Sequence, residues 1–116
     1  MILPLDVPKG FDNLSPELKG EITNGAGAKN GILVPNTLWG LNCRQVFDYH
    51  DYDYWIEKDD AGKRTADRRM IVNLIIIIVN KGGWLMAPRL YRAMTYFIAV
   101  AKFGKKAFYA GKETNG

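Results

Sequence analysis

Hydrophobic residues recur at helical spacing from about residue 43 onward, whereas the preceding segment has no regular period. Residues 1–42 are rich in glycine, proline and asparagine, which predicts an irregular, loop-rich region with one short helical turn after Ser15. The pattern predicts an all-α fold in a single domain, 1–116, with segments at 1–42, 43–81 and 84–116. Three helices are predicted, at about 43–58, 64–81 and 88–103.

Local signals place the ends of these helices. Asn42 and Gln45 have the spacing of a capping box at the start of the first helix. Residues 59–62 predict a turn, and Gly82 marks the end of the second helix. Pro88 suits the first turn of the third helix, where its missing N–H costs no hydrogen bond. Because the turn between the first two helices is short, we expect them to pack antiparallel.

The middle of the second helix allows a second interpretation. Residues 71–79 are rich in β-branched isoleucine, which is also typical of a strand. Helix is preferred, because apolar residues of this segment recur at helical spacing. These residues are Ala66, Met70, Leu74 and Ile77.

Composition limits the class of protein. Hydrophobic residues make up 47% and charged residues 24%, which is ordinary globular usage and argues against disorder. The net charge of +4 favours anionic partners, either nucleic acid or an acidic lipid surface. Cys43 is the single cysteine, so no intramolecular disulfide can form. The N-terminus does not have the pattern of a secretory signal, and the apolar run 74–79 is too short to span a bilayer.

The single histidine, His50, is followed by Asp51 and, four residues on, by Tyr54. In a helix these residues share one face with Phe47, and that aromatic face should point into the protein. An inward histidine beside a carboxylate suits a general base next to a metal ligand. The alternative is a core histidine that is hydrogen-bonded to a neighbour.

Asp67 heads the apolar stripe of the second helix, which continues through Met70, Ile71 and Leu74. A partly buried carboxylate needs a partner, and His50 on the facing helix is the natural candidate. Alternatively, Asp67 is a solvated first-turn residue that the helix dipole stabilises.

Other active-site chemistries are excluded by the residues available. Ser15 is the only serine, and it lies in a predicted turn. Cys43 and His50 would be ~10 Å apart along one helix, beyond hydrogen-bond reach. One histidine and one cysteine exclude the common zinc sites, and no phosphate-binding loop motif is present. A hard cation bound by Asp51 and by carbonyls of the glycine-rich loop 24–31 stays possible.

These motifs together resemble the secreted phospholipase A2 superfamily, over about residues 22–81. That family has a calcium loop of the type x-x-Gly-x-Gly, a helix bearing His-Asp-x-x-Tyr, and a second helix whose aspartate holds the histidine. Residues 23–27 match the loop, His50 to Tyr54 match the first helix, and Asp67 matches the second.

The resemblance implies calcium-dependent hydrolysis of the sn-2 ester of phospholipids. His50 would take a proton from the attacking water, Asp67 would fix the histidine tautomer, and Tyr54 would be a second orienting group. The N–H of Gly27, with calcium, would stabilise the oxyanion. The implied calcium ligands are the Asp51 carboxylate and loop carbonyls at Thr23, Gly25 and Gly27.

Two departures from the family pattern set this chain apart. Most of the family is stapled by disulfides, whereas this chain has only Cys43, so it is more similar to disulfide-free bacterial, phage-encoded and viral-capsid members. We therefore expect a cytoplasmic or virion-associated protein. The loop also lies farther upstream than is usual in the family, because residues 31–42 are inserted between it and the first helix.

The implied substrate is a phospholipid aggregate, which requires a contact surface. Residues 84–89 combine aromatic, apolar and basic groups suited to a membrane interface, and Lys102, Lys105 and Lys106 would attract anionic lipid. Alternatively, Trp84 and Leu85 pack on the core and the lysines are solvated.

Two other functions stay open. The first is a non-catalytic binding or structural module with the same fold, such as a component of a phage particle. The second is a basic helical domain that binds nucleic acid, suggested by four clustered cations. It is disfavoured, because no DNA-binding motif is present and several aspartates would repel phosphate. The cations are Lys63, Arg64, Arg68 and Arg69, and the aspartates are Asp48, Asp51, Asp53, Asp59 and Asp60.

Overall fold

The computed structural model describes residues 2–23, 37–109 and 112. This part of the chain is mostly helical, so the all-α prediction is confirmed. A 3-10 turn at Phe11–Asn13 precedes the helices, and a small hairpin pairs β1 (Thr37–Leu38) with β2 (Leu41–Asn42). The helices are α1 (Pro16–Ile22), α2 (Arg44–Ile56), α3 (Asp60–Lys81), α4 (Met86–Phe103) and α5 (Lys105–Tyr109).

The predicted start of the first long helix needs one correction. Cys43, not Asn42, is the N-cap of α2, and the amide oxygen of Asn42 accepts the N–H of Arg44. Gln45 donates to the hydroxyl of Tyr49, so the predicted capping box is wrong. By contrast, the short helix after Ser15 is confirmed, because the Ser15 hydroxyl accepts the N–H of Leu18.

The predicted turn over 59–62 is wrong in its extent. The side chain of Asp59 accepts the N–H of Gly62 and caps the helix, so α3 begins directly at Asp60. The helix therefore includes Lys63, four residues before Asp67. Further along, 71–79 is helical, and the strand interpretation of this segment is wrong.

Helices α2 and α3 pack antiparallel, as predicted. Glu57 lies against Gly62 at the turn, Tyr54 lies beneath Lys63, and His50 contacts Asp67. Helix α4 covers the pair and completes the main core. The most deeply buried core residues are Val46 and Phe47 of α2, Met70, Leu74 and Ile78 of α3, and Ala93 of α4.

The N-terminal segment is held to α3 by two asparagines two turns apart. The buried side chain of Asn73 accepts the N–H of Asp6 at 2.7 Å and donates to its carbonyl at 2.9 Å. Asn80 makes the same pair of hydrogen bonds with Leu3, at 2.9 and 2.8 Å, in a more exposed position. Part of the segment predicted to be irregular is therefore fixed on the helix pair.

We expect Asn73→Ala to lower the free energy of unfolding by about 1–3 kcal/mol, because it leaves backbone groups of Asp6 without these partners. Urea unfolding measures the loss. The matched control is Asn80→Ala, which removes the same pair of bonds at an exposed site and should cost less. Equal losses of unfolding free energy in the two variants would show that burial does not determine the cost.

Candidate active site

The only histidine and the aspartate of α3 meet between the two antiparallel helices. Nε2 of His50 lies 2.8 Å from Oδ1 of Asp67, and both residues are buried, at 8% and 3% exposure. The predicted hydrogen bond between them is confirmed. The alternative of a solvated first-turn Asp67 is wrong, because the full length of α3 places this residue two turns inside the helix.

Tyr54 joins the same carboxylate oxygen. Its hydroxyl donates to Oδ1 of Asp67 at 2.7 Å, and its ring lies against the imidazole of His50, with centroids 4.2 Å apart. Burial, and then the Asp67 carboxylate, raise the pKa of Tyr54, which therefore stays a protonated donor. The two groups on α2 converge on one acceptor of α3.

Lys63 is the site residue that sequence analysis missed. Its ammonium donates to Oδ2 of Asp67 at 2.7 Å and to the carbonyl of Val100 at 3.1 Å, and the residue is 5% exposed. The spacing of Lys63 and Asp67, four residues apart, was the available signal. It was hidden by the wrong turn at 59–62, which left Lys63 outside the predicted helix.

These contacts determine the charge of Asp67 and the tautomer of His50. Burial raises the pKa of Asp67, but hydrogen bonds from His50, Lys63 and Tyr54 outweigh it, so this pKa lies below its usual value. Because an ionised carboxylate can only accept, Nε2–H of His50 donates the hydrogen bond to Asp67. In the neutral form of the imidazole the lone pair is then at Nδ1, where it can accept a proton.

A second buried carboxylate lies beside this cluster. Asp53 is 1% exposed, and its Oδ1 accepts Nη1 of Arg69 at 2.7 Å. Burial raises the pKa of Asp53 and Arg69 opposes the rise, with a net increase. Arg69 also reaches Asp6 at 3.1 Å. Arg69, one of the clustered cations that suggested nucleic-acid binding, therefore pairs with Asp53 inside the fold.

Two of the predicted calcium ligands, Asp51 and Thr23, lie in the described part of the chain. Asp51 follows His50 on α2, and its Oδ2 is buried. Burial raises the pKa of Tyr96 on α4, and the charge of Asp51 raises it further. Thr23 ends α1, where its hydroxyl donates to the carbonyl of Lys19. Gly25 and Gly27 lie outside the described residues.

Asp51 does not lie at the centre of the side of α2 against which α1 packs. Helix α1 packs against Tyr49 and Tyr52, and Asp51 is ~160° around the helix from Tyr49 and ~100° from Tyr52. Within the described ranges, no three His, Cys, Asp or Glu residues are grouped as metal ligands. A carboxylate suits a hard cation, so calcium stays a prediction that rests on Asp51.

The residues of the predicted membrane-contact segment, 84–89, differ in their exposure. The side chain of Trp84 is 88% exposed, so the alternative that it packs on the core is wrong, whereas Leu85 is half-buried. Arg89 is buried and donates to the carbonyls of Leu38 and Trp39, which makes it a structural residue. Among the helices of the described part, none is both long and apolar enough to cross a membrane.

Comparison of the chain with protein-family models, with curated proteins and with solved structures gives no match. The class of the site is therefore judged on its geometry. A buried histidine is oriented by a carboxylate that three donors hold, between two antiparallel helices. This arrangement suits general-base chemistry.

Proposed function

We propose that this protein is a phospholipase A2-like hydrolase that cleaves the sn-2 ester of phospholipids with calcium. One observation carries the proposal: Nε2 of His50 is hydrogen-bonded to Asp67 across the antiparallel helices, with Tyr54 on the same oxygen. These residues occur along the chain in the same order as in the phospholipase A2 superfamily, which the chain resembles.

The chain's own residues supply the base and its orientation. His50 would take a proton from water at Nδ1, and the water oxygen would attack the ester carbonyl. Asp67 holds the imidazole in the required tautomer and stabilises the imidazolium that forms. Tyr54 limits rotation of the Asp67 carboxylate by donating to the oxygen that faces the histidine. The proton would then pass from His50 to the leaving alcohol.

Asp51 and backbone carbonyls near Gly25 and Gly27 would hold the calcium ion. When bound, calcium would supply Lewis-acid polarisation of the ester carbonyl. The carboxylate and carbonyl oxygens of this set have the chemistry that calcium prefers.

Calorimetry is expected to detect weak calcium binding, with Kd about 10⁻⁴–10⁻³ M, because the set contains one carboxylate. Asp51→Ala should abolish this binding. The control is Asp48→Ala, which removes a carboxylate from the same helix that is paired with Arg44 at 3.2 Å. Calcium binding that is unchanged in Asp51→Ala would remove this residue from the site.

Lys63 favours a second candidate function, a non-catalytic module with the same fold. Its ammonium lies 2.7 Å from Asp67 and offsets the negative charge that would stabilise a protonated His50. A carboxylate that is paired with an ammonium therefore stabilises the imidazolium less than an unpaired carboxylate would. Fatty-acid release from vesicles in millimolar calcium separates the two functions, because the module would release none.

A further inference from the structure

Two basic clusters that are far apart in sequence lie on one groove. The groove runs between α3 and α4 to the start of α5 and has a volume of about 560 Å³, within the usual range for small-molecule sites. Its basic side chains come from both helices, whereas its apolar wall comes from α4. The lining includes the cations Arg64, Arg68 and Lys102, the carboxylates Asp60 and Asp67, and the apolar side chain of Phe97.

Ion pairing leaves three cations of this groove available to a ligand. Lys63 is paired with Asp67 at 2.7 Å. Lys105 lies 3.6 Å from Asp60, which also accepts the hydroxyl of Tyr109. The other three basic residues form no salt bridge within the part of the chain that the structure describes. These residues are Arg64, Arg68 and Lys102.

The three cations line the groove from two helices. Arg64 and Arg68 are one turn apart on an exposed face of α3, and Lys102 faces them from α4. Guanidinium groups bind phosphate through two parallel hydrogen bonds, and an ammonium adds a point charge. A phosphate group therefore fits this end of the groove.

An exposed apolar surface continues from the basic end. Helices α3 and α4 are joined by residues 82–85, and Lys63 near the start of α3 reaches the carbonyl of Val100 near the end of α4, so the two helices run antiparallel. Later residues of α3 therefore lie beside earlier residues of α4. Large apolar side chains of these two segments are 37–46% exposed, and exposed apolar residues that lie together mark interaction sites. These side chains are Val72, Ile75, Met94 and Ile98.

We propose that this groove binds the phosphate of an anionic phospholipid, with the lipid's apolar part along the adjoining face of α3 and α4. A basic end beside an apolar surface matches the two halves of such a lipid. The walls come from α3, α4 and α5 and include Asp67, which holds His50, whereas His50 itself is on α2 and is not part of the lining. The groove therefore borders the site of the base without containing the base, and lipid can bind there without being hydrolysed.

Vesicle co-sedimentation in the His50→Gln background tests the proposal, because binding is then measured without dependence on hydrolysis. The probes are vesicles of phosphatidylcholine alone and of phosphatidylcholine mixed with phosphatidic acid. We expect preference for the mixed vesicles. The combined change Arg64→Gln, Arg68→Gln and Lys102→Gln should weaken this binding about 100-fold, at about fivefold for each cation.

The matched control removes three exposed cations away from the groove: Lys9→Gln, Lys81→Gln and Arg92→Gln. It lowers the net charge equally and should weaken binding much less. Equal losses in both triple variants would overturn the site in favour of general attraction. Binding of inorganic phosphate or of a DNA oligonucleotide that depends on the groove, without vesicle binding, would also overturn the lipid assignment. No preference for the mixed vesicles would do the same.

Discussion

Replacing His50 with glutamine is expected to abolish phospholipid hydrolysis while the fold is kept. Glutamine is close in size and can still donate to Asp67, but it cannot accept a proton near neutral pH. Loss of a general base lowers the rate by about 10²–10⁴-fold. Fatty-acid release from vesicles in millimolar calcium is the measurement, with circular dichroism to confirm the helical fold.

Asp67→Asn should keep a residual rate in the same assay, because it disturbs the tautomer and orientation of His50 without removing the base. The control Asp48→Asn changes a half-buried residue of α2 that is paired with Arg44, outside the His50 cluster, and should leave the rate unchanged. If the wild-type protein releases no fatty acid, or if His50→Gln retains full activity, the proposed hydrolysis fails. The fold would then be explained by the non-catalytic module.

The largest expected effect on stability is that of Asp67→Asn. This change leaves the ammonium of Lys63 buried, 5% exposed, without its carboxylate. Breaking a buried ion pair by removal of one partner costs about 3–5 kcal/mol. Urea unfolding at neutral pH should show a loss of this size. The activity of Asp67→Asn must therefore be measured where the variant is still folded.

A second change is expected to recover part of this stability. Adding Lys63→Met to Asp67→Asn removes the unpaired charge and keeps an apolar chain of similar length. The double variant should therefore be more stable than Asp67→Asn alone, and the cycle reports the coupling of the pair. Lys106→Met is the control at an exposed position and should change stability by less than about 0.5 kcal/mol. Additive losses would show that the pair is not coupled.

The long helices can be predicted from the sequence, because each has apolar residues that recur at helical spacing. The apolar repeat from Ala66 to Ile77 is correct even through a run of β-branched residues, since the repeat extends over many turns. Helix ends are less determined, because a cap depends on which side chain reaches the backbone. Asp59, the first residue of the predicted turn, caps α3, and Gln45 donates to Tyr49 instead of capping α2.

The sequence by itself determined that α2 and α3 carry His50, Tyr54 and Asp67 on faces that meet, because helical periodicity fixes a residue's direction and the short turn fixes the antiparallel pairing. Only the tertiary structure decided the partners that come from elsewhere. Lys63 reaches the carbonyl of Val100 because α4 packs over the helix pair, and the same packing joins the basic residues of α3 and α4 in one groove. Such contacts depend on how a third helix lies across two others, which no local spacing encodes.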